Sequence, residues 1–105
     1  MKSISIPPAA LEDEASVEMA RVWVAKQGLH CVLNVGTYQD SGLREATAWG
    51  VILADMARHI SHALRDNGLE ADSETALAEI QKTIIRELDH PTSEATGDFG
   101  STTTQ

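Results

Sequence analysis

The sequence predicts an α+β fold in which a β-hairpin packs on two helices, in the order ββαα. Three observations predict it. Apolar residues alternate with period two on either side of Gly28. A 3.6-residue apolar stripe runs from Leu43 to Asn67, and a shorter one from Glu74 to Leu88.

Taken in order, Ser3 to Ile6 reads as an extended lead-in, and Pro7-Pro8 argues against a helix there. Leu11 to Ser16 carries Glu12-Asp13-Glu14 and reads as a solvated loop or a short helical turn. Residues 17–26 mix strand formers (Val22, Trp23, Val24) with helix-tolerant Met19, Ala20 and Ala25. The next segment decides between them. Leu29, Cys31, Leu33 and Val35 alternate with His30, Val32 and Asn34, so a strand follows Gly28 and wants an antiparallel partner. Strands at 17–26 and 29–36 closed by Gln27-Gly28 satisfy both.

An even-numbered loop pairs Val24 with Cys31, Val22 with Leu33 and Ala20 with Val35, collecting all six on one core face. An odd loop would set Arg21 beside Leu33 on that face and bury a charge. Arg21, Trp23, Ala25, His30, Val32 and Asn34 then form the outer face.

Asp40-Ser41-Gly42 marks a loop before the long helix, expected over residues 43–67. Trp49, Ile52, Leu53, Met56, Ile60, Ala63 and Leu64 make its apolar stripe. Gly50, Ala54, Ala57 and Ser61 make a second, small-residue face that a neighbouring element can approach. Burial on two sides leaves only the arc of Asp55, Arg58, His59, His62 and Arg65 for water. Gly68 suits a left-handed residue after the last turn, with Leu69 reaching back to Leu64. Asp72 or Ser73 caps the last helix, expected over residues 74–88. Leu77, Ile80, Ile84 and Leu88 form its buried stripe, with Ile85 alongside, and Asp89-His90-Pro91 stops it. The domain is expected to span residues 1–90. The tail, 91–105, is rich in Ser, Thr and Gly and is expected to be disordered.

Composition narrows the function classes. Sixteen acidic residues against eight basic ones give a net charge of −8, which repels nucleic acid and anionic membrane surfaces. No segment approaches the roughly 20 apolar residues of a membrane span. A single cysteine, Cys31, excludes an intramolecular disulfide and fits a reducing compartment, so a cytoplasmic location is expected.

Two constellations stand out. Asp55, His59 and His62 follow at i, i+4 and i+7 on the long helix, within about 60° of arc. A carboxylate and two imidazoles could hold a divalent metal. The competing reading is a hydrated polar face in which Asp55 pairs with Arg58 or His59, since no fourth ligand is evident. Arg21, Trp23 and His30 share the hairpin's outer face, and a Trp beside an Arg is an anchor pattern at protein interfaces. The competing reading is that Trp23 is covered within the chain. A lone hairpin is marginal in water. A homodimer that extends two strands to a four-stranded sheet would answer that weakness.

Cys31 reads as a core residue, because strand neighbours point to opposite faces and His30 cannot activate it. There is no glycine-rich phosphate loop, no Gly-x-Ser-x-Gly elbow and no Cys-x-x-Cys pair.

The string Ala48-Trp49-Gly50-Val51-Ile52-Leu53-Ala54-Asp55-Met56-Ala57-Arg58-His59 has a further meaning. With Ile6-Pro7-Pro8-Ala9-Ala10-Leu11, Arg21-Val22-Trp23 and Gly28-Leu29-His30, it resembles a family of short bacterial proteins catalogued as a domain of unknown function. The resemblance covers roughly residues 4–88. It implies one compact domain, and it brings no activity, ligand or catalytic residue.

The leading functional expectation is a cytoplasmic interaction or regulatory module without catalytic activity or a cofactor, acting as a homodimer. The alternative is a metal- or small-ligand-binding protein, or an enzyme, using Asp55, His59 and His62.

Overall fold

A computed structural model describes residues 3–92 and the strand at 95–99. Its elements are α1 (Pro8–Glu12), β1 (Ala20–Ala25), β2 (Gly28–Leu33), α2 (Glu45–Asp66), α3 (Ser73–Asp89) and β3 (Ala95–Phe99). The α+β class and the ββαα order are as the sequence predicts.

The Pro7-Pro8 pair does not deny a helix. Pro7 caps α1 and Pro8 takes its first position, where the missing N–H has no intrahelical acceptor to lose. The turn ends at Asp13, whose carboxylate accepts from the Ala15 N–H at 2.9 Å.

β1 and β2 are antiparallel, with Ala25 opposite Gly28, Trp23 opposite His30 and Val22 opposite Cys31. The loop has the expected even number of residues but consists of Lys26 and Gln27, one place earlier than Gln27-Gly28. Both have positive φ, 49° and 62°, as a two-residue type I′ turn requires. Pairing therefore slides by two residues, and Val22 rather than Val24 faces Cys31. A slide of two preserves the faces, so Ala20, Val22, Val24, Leu29, Cys31 and Leu33 still share one side. Beyond the strands, the Asn34 N–H donates to Met19 O at 2.9 Å and prolongs the pairing.

The tail expected to be disordered contributes a strand at Ala95–Phe99. It lies parallel to β2, giving the sheet order β1-β2-β3. The remainder of the tail, residues 93–94 and 100–105, lies outside the described residues.

α2 ends as predicted. Gly68 has φ 73°, its N–H donates to Arg65 O at 3.0 Å, and the Leu69 N–H reaches Leu64 O at 2.9 Å. These are the two bonds of a Schellman ending. Asp72 caps α3, its Oδ1 accepting from the Thr75 N–H at 2.7 Å and its Oδ2 from the Thr75 hydroxyl at 3.1 Å. Both hydrogen bonds, the backbone one foremost, hold the Asp72 carboxyl below its ordinary value.

α2 and α3 pack on each other through small side chains. Ser61 and Ala76 are almost fully buried, and Ser61 Oγ donates to Ala57 O at 2.8 Å. On the small-residue face Ser61 is buried and Ala57 half-buried, while Gly50 and Ala54 are exposed. The long apolar stripes fare differently. Leu53, Met56 and Ile60 on α2, and Ile84, Ile85 and Leu88 on α3, are exposed. Of the expected Leu77-Ile80-Ile84-Leu88 stripe on α3, Leu77 and Ile80 are half-buried while Ile84 and Leu88 are exposed, and Ala76, Thr83 and Glu87 turn inward beside them. The arc around Asp55 and His59 is therefore only one of the α2 surfaces that meet water.

The hairpin and the helices each pack within themselves. Among the described residues, neither hairpin strand comes within 8 Å, Cα to Cα, of α2 or α3. Val22 and Val24, on the intended core face, are 52% and 81% exposed. The fully buried apolar side chains among the described residues are two alanines, Ala48 and Ala76.

Candidate functional site

Asp55, His59 and His62 lie on uninterrupted helix and are all exposed. Asp55 is taken up by Arg58, whose Nη1 donates to its Oδ1 at 2.8 Å. Both partners are solvated, so the pair contributes little to stability. Among the described residues no three His, Cys, Asp or Glu side chains are grouped to hold a metal ion. His62 instead joins Arg58 and Ser61 in lining a shallow groove completed by Ser73, Glu74 and Leu77 of α3. Its volume, about 280 Å³, falls just below the range typical of small-molecule pockets.

The hairpin's outer face brings the second predicted set together. Arg21 and Trp23 alternate on β1, and Trp23 sits directly across from His30. Arg21 Nε donates to Glu18 Oε1 at 2.9 Å, and His30 Nε2 lies 3.1 Å from Ala25 O. Trp23 and His30 are half-buried while Arg21 is exposed. The result is an aromatic pair with a cation beside it.

One junction went unnoticed in the sequence. Glu45, the first residue of α2, accepts from the Gly36 N–H at 2.9 Å and the Tyr38 N–H at 3.0 Å. The Trp49 indole N–H donates to the same carboxylate at 3.1 Å. The Gly36 bond leads in holding the Glu45 carboxyl below its ordinary value, with Tyr38 and Trp49 adding to it. This is the described contact that ties the segment after β2 to the start of α2. The available signals were an acidic residue in the first turn and a Trp four residues on.

A family model described as a domain of unknown function, DUF5076, matches residues 3–92. No curated protein matches the chain. A solved structure from the photosynthetic bacterium Rhodopseudomonas palustrus CGA009, described as a candidate pyruvate dehydrogenase, is similar over 100% of this chain and 97% of its own. The two share 26% sequence identity and superpose with a TM-score of 0.65. Among the described residues no helix is long and apolar enough to cross a membrane.

Proposed function

The chain belongs to the DUF5076 family, which assigns it no activity, and on that premise we propose that it is a small interaction or regulatory module working inside a protein assembly. The observation that carries this reading is the apolar surface the chain leaves open. Val22, Val24, Leu53, Met56, Ile60, Ile84, Ile85 and Leu88 are all exposed, on both sheet and helices. Monomeric soluble proteins rarely expose contiguous apolar area beyond a few hundred Å². Such patches mark surfaces that bind protein. The Trp23–His30 pair beside Arg21 offers a second, more polar contact of the kind interfaces use as anchors.

The native particle mass tests the reading. In a mild extract the chain should migrate as part of a particle larger than 11.3 kDa. A free 11.3 kDa species that unfolds cooperatively would count against it.

A second reading, small-ligand or metal binding, draws support from the groove that seats His62 beside Arg58. It predicts that zinc, nickel, manganese or iron raises the melting temperature and that His62→Ala removes the shift.

A further inference from the structure

We propose that the occupant of the open apolar surface is a second copy of this chain, with the helices of each copy lying on the sheet of the other; this rests on the assembly reading above. A sheet and a helix pair must each bury an apolar face against another layer. Here one chain carries both faces and brings neither to the other. The sheet presents Val22 and Val24, 52% and 81% exposed, while α2 presents Leu53, Met56 and Ile60. A two-fold partner supplies the missing layer in both directions at once.

The exposed area leaves room for such an interface. The chain exposes 8789 Å², against about 5,700 Å² for a folded monomer of this mass. The excess, on the order of 3,000 Å², is more than the roughly 1,000–2,500 Å² each chain contributes to an obligate homodimer.

Net charge restricts which faces two copies can bring together. A chain of net charge −8 repels its copy unless the contact is made by uncharged faces. Ala20, Val22, Val24, Leu29, Cys31 and Leu33 on the sheet carry no charged side chain, and neither do Leu53, Met56 and Ile60. The cover is also needed for the fold itself, since Ala48 and Ala76 are the fully buried apolar side chains among the described residues. A cover that must always be present is best supplied by the same gene product. Edge-to-edge pairing of two β1 strands would lengthen the sheet and leave these faces open.

Light scattering on the purified chain alone, over a concentration series, reads the first part. Two chain masses are expected, with Val24→Asp and Ile60→Asp each lowering the mass to one or preventing folding. A folded wild-type monomer overturns the proposal. If a larger particle forms only with other proteins from the cell, the second copy is refuted and the assembly reading stands. Crosslinking reads the second part. In a Cys31→Ser background, Val24→Cys and Ile60→Cys chains are refolded together and oxidised. A mixed disulfide between the two chains is expected. Only 24–24 and 60–60 disulfides would overturn the reciprocal arrangement.

Discussion

The Trp49 indole N–H donates to the Glu45 carboxylate one helical turn away, at 3.1 Å, while the same carboxylate receives two backbone N–H groups from the preceding loop. Glu45 thereby ties the loop after β2 to the first turns of α2. Glu45→Ala should leave the Gly36 and Tyr38 donors without this acceptor and free the indole. A lower melting temperature and a red-shifted Trp emission are expected, and a control such as Glu70→Ala should show neither. Equal melting temperatures for the two variants would rule out the anchoring role.

Acid should act through three carboxylates. Glu45, Asp72 and Glu87 are all held below their ordinary values, Glu87 foremost by the Thr92 N–H. Their contribution is fully present above the ordinary values of 4.5 for Glu and 3.8 for Asp. It is lost as the pH falls through the lowered folded-state values, because the unfolded chain then binds more protons. The melting temperature should hold between pH 7 and 5 and drop below pH 4.5. Glu45→Gln with Asp72→Asn should flatten that drop, and an unchanged acid limb would contradict it.

The hairpin turn offers a gain. Lys26 and Gln27 both occupy positive φ, a region that costs side-chain-bearing residues about 1 kcal/mol each. Gln27→Gly should stabilise the protein by about that amount, and Lys26→Asn should add to it. Denaturant midpoints at fixed protein concentration check this. A loss of stability in Gln27→Gly would mean the turn is not the two-residue kind.

At the helix contact, size should matter more than polarity. Ser61 is 1% exposed and its hydroxyl serves only its own helix, donating to Ala57 O. Ser61→Ala should be close to neutral. Ser61→Leu or Ala76→Leu should cost about 1–3 kcal/mol by forcing the helices apart, which urea unfolding would detect.

Much of the fold was legible because local chemistry dictates it. Gly68 with Leu69, and Asp72 with Thr75, terminate helices by bonds within a few residues, and the structure shows each. The hairpin's faces were legible because a period of two survives any even slide. What escaped were choices with no local signature. Lys26 and Gln27 adopt a turn that glycine or asparagine usually marks. Pro8 serves at the first position of a helix. Ala95–Phe99 pairs with a strand far away in sequence. The inward turn of Ala76 and Thr83 on α3 was hidden for a different reason. Apolar periodicity reports which side wants burial, whereas a single chain reports only which side finds it. For the site, the Arg21–Trp23–His30 face was predictable from register parity alone. Glu45 was not, because its acceptors' partners lie in an irregular loop.

The parallel pairing of β3 with β2 sets an order of events for the newborn chain. The β1–β2 hairpin and the α2–α3 pair join neighbours in sequence and can form as soon as each segment emerges. Leu29 meets Ala95 and Leu33 meets Phe99, so the second edge of β2 must wait until residues 95–99 have been synthesised. During that interval β2 offers an unprotected strand edge, which makes the ribosome-bound stage the moment of greatest exposure to wrong pairing with another nascent copy.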